Sequence, residues 1–197
     1  MTFYGVIVEI LIVVFRIYCA LLHPIRVTGK ENLPAEGGYM LCVNHISFLD
    51  PVVTVLYVKR HIRFMGKKEL FKNKFVGNVF RAIGAFPVDR GNADLAAVRE
   101  AIKTLTSGGC LGIFPQGTRS ADNEHTQMHG GAALIAQRAR TPIVPMYIDG
   151  PYKYFRKTEV RIGKPIDMNE FEKKTDAQTI AKITERIDGA IWALKEN

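Results

Sequence analysis

The stretch VNHISFLDPV, residues 43–52, closes an apolar run with Asn44 and His45 and sets Asp50 five residues beyond the histidine. A neutral imidazole removes a proton from an alcohol near neutral pH if its second nitrogen is held in the right tautomer. A carboxylate does that holding and stabilises the imidazolium that forms. An offset of five does not stack two side chains on one helical face. It does work if His45 lies on the turn after a strand and Asp50 begins the next helix. Pro51 supports this reading, because proline is favoured at the first helical position and aspartate just before it. The competing reading is an aspartate cap beside a strand-end histidine, and the pair alone does not decide between them.

Two arginines weigh on that choice. The segment IFPQGTRS, residues 113–120, puts Arg119 in a glycine-containing loop after a buried run, where backbone donors and a guanidinium fork suit a phosphate. The segment GAFPVDR puts Arg90 after a Phe-Pro turn. Each alone reads first as an ordinary surface or turn arginine; with His45 they describe a base beside an anion clamp. His125 and His129 are four apart but have no further ligand cluster, so no metal is expected. No serine or cysteine sits in a nucleophile-elbow pattern, so no acyl-enzyme is expected. Cys19, Cys42 and Cys110 are odd in number and lie in apolar surroundings, which reads as buried thiols in a reducing compartment.

These residues need a scaffold. At 197 residues, 47% hydrophobic and 23% charged, the chain suits one domain with a full core. Continuous apolar runs at YMLCV, CLGIF and TPIVPMYI read as buried strands, with further strands at HIRF and TEVRIG. Helices are expected over 47–57, 94–107, 131–139 and 176–194, and a basic helical turn over GKKELF. Buried strands separated by helices give an α/β single domain, a largely covered mixed sheet flanked by helices.

A net charge of +8 favours an anionic partner: nucleic acid, an anionic bilayer or a phosphorylated substrate. The basic stretch from Lys59 to Lys74, with Phe64 and Phe71 interleaved, matches no nucleic-acid module. Beside an apolar segment it suits lipid headgroups or an acidic carrier protein, so no nucleic acid is expected. That apolar segment is FYGVIVEILIVVFRIYCALL, residues 3–22, about 30 Å long as a helix. Its charges, Glu9 and Arg16, share one seam, and burying them at mid-bilayer is costly unless they snorkel or pair. The segment reads as an interfacial anchor first, a single span second, a core helix third. The division expected is residues 1–24 as a membrane anchor helix and 25–197 as the body. Arg26 and Lys30 point to the cytoplasmic face of the cell membrane.

Taken in order, these blocks resemble the 1-acylglycerol-3-phosphate acyltransferases of bacterial lysophosphatidic-acid type, over roughly residues 25–165. The Asn-His-four residues-Asp block is Asn44, His45 and Asp50; the second ends Phe86, Pro87, Val88, Asp89, Arg90. The third is Phe114 to Ser120, with Gln116 where the family usually carries glutamate, and the fourth is Val144 and Pro145. The resemblance implies a glycerol-3-phosphate acyltransferase-like fold. It also implies transfer of an acyl group from acyl-carrier protein or acyl-CoA to the sn-2 hydroxyl of lysophosphatidic acid, with no cofactor. His45 would be the base and Asp50 its orienting carboxylate. Arg90, Arg119, Lys67, Gln116, Gly117 and Thr118 would form the substrate-binding set. Another lysophospholipid acceptor, or a non-catalytic lipid-binding protein of the same fold, stays open beside it.

Overall fold

The computed structural model describes residues 3–58, 60–89, 94–120 and 125–196. In chain order the elements are α1 (Phe3–Leu22), β1 (Ile25–Thr28), β2 (Tyr39–Val43), α2 (Asp50–Tyr57), β3 (Ile62–Lys67), α3 (Lys74–Ala82) and β4 (Ala85–Val88). There follow α4 (Leu95–Thr106), β5 (Cys110–Ile113), α5 (Gly131–Ala139), β6 (Ile143–Ile148), β7 (Thr158–Ile162) and α6 (Ala177–Trp192). The strands form one seven-stranded sheet in the order β1-β7-β6-β2-β5-β3-β4. Every neighbouring pair is parallel except β6 with β7. The fold is therefore the covered, mixed α/β sheet expected from the apolar runs.

The pleat of β2 shows why both faces must be covered. All five of its residues are buried. Met40 and Cys42 join the core built with α4, α5 and α6, where Ala101, Ala133, Ile183 and Ile187 pack. Tyr39, Leu41 and Val43 join a second core with Val53 of α2 and Phe71. Alternate residues facing opposite layers, all apolar, make the continuous hydrophobic run of a central strand.

Two elements depart from the expectations. The basic helical turn after β3 is a short 3₁₀ turn at Lys68–Phe71, and a separate helix, α3, follows it. Asn73 starts α3 by accepting hydrogen bonds from the N–H groups of Phe75 and Val76, a capping signal that the sequence carries. The edge strand β1 alternates between half-buried and exposed residues, so it lacks the unbroken apolar run by which the other strands are read.

Because β2, β5, β3 and β4 run parallel side by side, the loops after them emerge along one edge. That edge, beyond the carboxyl ends of the strands, is where open α/β sheets bind ligands. It carries His45, Lys67 and the 114–120 loop. Gly112 helps shape it from inside the sheet. A Cβ on Gly112 would lie 2.4 Å from the Phe64 ring of the neighbouring strand, so the absent side chain is what lets that ring lie flat across β5.

Gly112→Ala should therefore destabilise the protein by about 1–3 kcal/mol through overpacking. By contrast, a Cβ added at Gly189, exposed within α6, would meet nothing within 4 Å. Gly189→Ala should stabilise by up to about 1 kcal/mol through helix propensity. Denaturant unfolding of the two variants should show the opposite signs.

Candidate active site

The site begins where β2 leaves the sheet. There the Asn44 side chain stands in for a ladder residue: its oxygen accepts from Ile148 N at 2.7 Å and its amide donates to Ile148 O at 2.9 Å. This pins the turn to β6 and delivers His45 to the edge. His45 Nδ1 lies 2.8 Å from Asp50 Oδ2. The same oxygen accepts from Ile46 N at 2.7 Å and Ser47 N at 2.8 Å, while Oδ1 accepts from the Tyr152 hydroxyl at 3.0 Å. The Asp50 side chain has no solvent exposure, and four donors replace the water that burial removes. With the carboxylate acting as acceptor, the imidazole proton sits on Nδ1 and the Nε2 lone pair is left for an incoming proton.

Asp50 is the first residue of α2, with Leu49 in the cap position, so it is not the cap expected ahead of Pro51. Its carboxylate turns back onto Ile46 and Ser47 instead. This reversal is what allows an offset of five to bring acid and imidazole together.

Beneath the imidazole lies Phe114, stacked with ring centroids 4.1 Å apart and planes 23° from parallel. Phe64 stacks in turn on Phe114 at 6.1 Å. The 114–120 loop is tied to both backbone groups of His45: Gln116 Oε1 accepts from His45 N at 2.8 Å, and Ser120 N donates to His45 O at 2.9 Å. Gln116 is buried, and its carboxamide oxygen makes a bond that a carboxylate oxygen could also make. Gly117 turns the loop at φ 69°, the left-handed region that glycine enters without strain.

Between these tethers Arg119 is exposed, its guanidinium carbon 3.5 Å from the centre of the Phe48 ring. Stacking on an aromatic face orients the fork while leaving its edge for an anion. Thr118 is also exposed, and Lys67 ends β3 with Glu69 3.8 Å away. Arg90 lies outside the described residues.

His45, Lys67 and Arg119 border a cavity of about 490 Å³, within the range of small-molecule sites. Its remaining wall is mostly apolar, with Leu11, Ile12 and Phe15 from α1, Val55 from α2 and Phe80 from the end of α3. The arrangement offers a base, two cations and an apolar compartment.

Burial pushes the Cys42 thiol up to about 12 and the Cys110 thiol up to about 11, so neither is a thiolate at neutral pH. His125 pairs with Asp188 at 2.6 Å, and neither it nor His129 lies on a helix. Among the described residues no group of three or more histidine, cysteine or carboxylate side chains could hold a metal.

Sequence reasoning missed the Tyr152 contact, the aromatic floor and the share of α1 in the cavity. Tyr152 stands 102 residues from Asp50, and no local spacing encodes that contact.

Residues 24–149 match the family model described as Acyltransferase. The chain is 34% identical over 186 residues to the 1-acyl-sn-glycerol-3-phosphate acyltransferase of Bacillus subtilis, covering 91% of this chain and 92% of that one. A Streptococcus pneumoniae protein of the same name is 34% identical over 176 residues, covering 85% and 65%. Among solved structures, the 1-acyl-sn-glycerophosphate (LPA) acyltransferase of Thermotoga maritima aligns with a TM-score of 0.70 at 26% identity. That alignment covers 87% of this chain and 71% of the other.

Asn44→Ala leaves a buried N–H and a buried C=O of Ile148 without these partners. At about 1–3 kcal/mol for each of the two orphaned groups, the loss should be about 2–6 kcal/mol in equilibrium unfolding. Asn44→Asp should not rescue it, because aspartate cannot donate to Ile148 O.

Proposed function

The chain belongs to the acyltransferase family, and from that premise we propose that it acylates the sn-2 hydroxyl of lysophosphatidic acid to give phosphatidic acid. The donor is a fatty acyl thioester of acyl-carrier protein or coenzyme A. The observation that carries this reading is the His45–Asp50 pair, its free Nε2 beside an apolar cavity that Lys67 and Arg119 also border.

The chemistry is a direct transfer. His45 Nε2 takes the hydroxyl proton as the oxygen attacks the thioester carbonyl, and a tetrahedral oxyanion forms. The C–S bond then breaks, the ester C–O bond remains, and the imidazolium returns its proton to the departing thiolate. Asp50 holds the ring and balances the transient positive charge. The protonated, buried thiols of Cys42 and Cys110 support a route without a cysteine acyl-enzyme. Arg119 and Lys67, together with Arg90, bind the acceptor phosphate; Gly117 and Thr118 bring the loop close to it, and Gln116 ties that loop to the base. The apolar cavity receives an acyl chain.

We also assign α1 to the membrane interface rather than to a span. The helix is long and apolar enough to cross a bilayer. Yet it is fastened to the body along its length, by Tyr4 against Phe75 near one end and by Leu22 O accepting from Phe155 N at the other. Crossing would drag the body into hydrocarbon. Phe3, Val6, Ile10, Val13, Val14, Ile17 and Leu21 recur at three and four and are exposed, which is the apolar face of a helix lying flat in one leaflet. Residues 1–24 are thus the anchor and 25–197 the catalytic body. Free Cys19, Cys42 and Cys110, with Arg26 and Lys30 after the helix, support the cytoplasmic face.

Purified protein assayed with a panel of lysophospholipids and both thioesters should prefer lysophosphatidic acid; equal use of acceptors lacking a phosphate monoester would defeat the assignment. His45→Ala should lose about two to four powers of ten in kcat while remaining folded. Arg119→Lys keeps the charge but loses the fork. Its kcat/KM should fall more for lysophosphatidic acid than for an acceptor without an exposed phosphate monoester. Equal losses together with a lowered Tm would instead make Arg119 a brace for the loop.

For the anchor, the measurement is co-sedimentation with anionic vesicles. Ile10→Lys with Ile17→Lys should release the protein despite adding positive charge, because the apolar face drives insertion. High salt alone should release the unmodified protein poorly.

A further inference from the structure

The Asp50 carboxylate is held partly from a segment outside all the motif residues. Its Oδ2 already receives the His45 ring and two backbone N–H groups, whereas Oδ1 receives the Tyr152 hydroxyl. The terminal torsion of aspartate is a broad, roughly two-fold rotor, so bonds to one oxygen alone fix it loosely. A donor on the second oxygen removes that freedom.

Tyr152 is itself tied to the end of α1. The carbonyl of the next residue, Lys153, lies 3.2 Å from His23 Nδ1, and Phe155 N donates to Leu22 O at 2.7 Å. Thr158 N donates to Pro24 O at 2.9 Å. The buried His23 ring stands edge-on to Tyr152 with centroids 6.1 Å apart, and lies 4.8 Å from the ring of Tyr154. A carbonyl can only accept, so the His23 proton is on Nδ1, and Nε2 accepts from the Tyr18 hydroxyl at 3.1 Å.

We propose that Tyr152 is a positioning residue for the catalytic pair: its hydroxyl fixes the rotation of Asp50, and His23 at the end of α1 fixes Tyr152. The proposal rests on the acyltransferase reading above, in which His45 is the base. Burial and the adjacent Asp50 charge push the Tyr152 hydroxyl far above the ordinary tyrosine range, so it stays a donor throughout the working pH range. The helix that faces lipid is thereby connected to the base through the buried His23 ring, the half-buried Tyr152 ring and one hydroxyl.

The test is Tyr152→Phe, which keeps the ring and removes the hydroxyl, beside His23→Leu, which leaves Tyr152 and Asp50 chemically intact. Loss of the hydroxyl should lower kcat about threefold to tenfold with the acceptor KM little changed; the Tm should fall, because Asp50 stays buried with one donor fewer, while each variant remains folded at the assay temperature. A second readout needs no substrate. Carbethoxylation of His45 by diethyl pyrocarbonate, followed by peptide mass against pH, reports the imidazole's own titration. A carboxylate relieved of a donor attracts the imidazolium proton more strongly, so the midpoint should rise by about half a unit or more. Among the described residues the ionisable groups around the pair are Tyr152, with Arg119 and Lys67 on the cavity side and His23 and Cys19 behind Tyr152. None but the deleted hydroxyl changes in Tyr152→Phe. His23→Leu should move kcat in the same direction. If both variants keep wild-type kcat and superimposable His45 profiles, or if the loss lies in KM alone, the proposal is overturned. If the wild-type protein does not acylate lysophosphatidic acid, the functional reading falls, while the modification profile still decides the role of Tyr152.

Discussion

A carboxylate with no access to water must be saturated by donors, and the geometry of this site follows from that demand on Asp50. Two of its four donors are backbone N–H groups, which requires the chain between His45 and Asp50 to fold into a tight turn. That turn must start at a defined height on the sheet, and the amide of Asn44 sets the height by docking on Ile148. The third donor is the histidine ring, and the fourth comes from a loop beyond β6. Satisfying one buried charge thus recruits β2, α2, β6 and the segment around Tyr152 into a single arrangement.

The imidazole is constrained from below as well. Gly112 admits the Phe64 ring, Phe64 supports Phe114, and Phe114 carries His45. This stack is apolar, so it limits the ring's motion without competing for Nε2. The apolar compartment opens beside it, and α1 closes part of its wall. A helix that presents one face to solvent or lipid and another to the cavity has two jobs for its hydrophobic residues. Its unusually uniform apolar composition is explained by both together.

The local parts of this design are legible in the chain. His45 and Asp50 lie within one turn, and the proline beside Asp50 announces the helix that follows, although it misplaces the aspartate by one position. Buried strands announce themselves as unbroken apolar runs. The helix α3 carries a readable cap at Asn73, masked by the basic residues before it. Tyr152, Phe64 with Gly112, and the cavity wall from α1 are not legible, because each depends on which strands become neighbours. Strand order is a property of the assembled sheet, and β2 lies beside β5 and β6 rather than β1 or β3.

The attachment of the 114–120 loop to both backbone groups of His45 has a consequence for how an acceptor is measured. Gln116 and Ser120 tie the backbone of His45 to the loop that carries Arg119, so a shift of one is passed to the other. On the proposal that Arg119 holds the acceptor phosphate, the reach from phosphate to Nε2 is set by these two tethers. An acceptor whose hydroxyl lay at another distance from its phosphate would then be disfavoured by the spacing of two loops, with no residue needed to touch the glycerol chain.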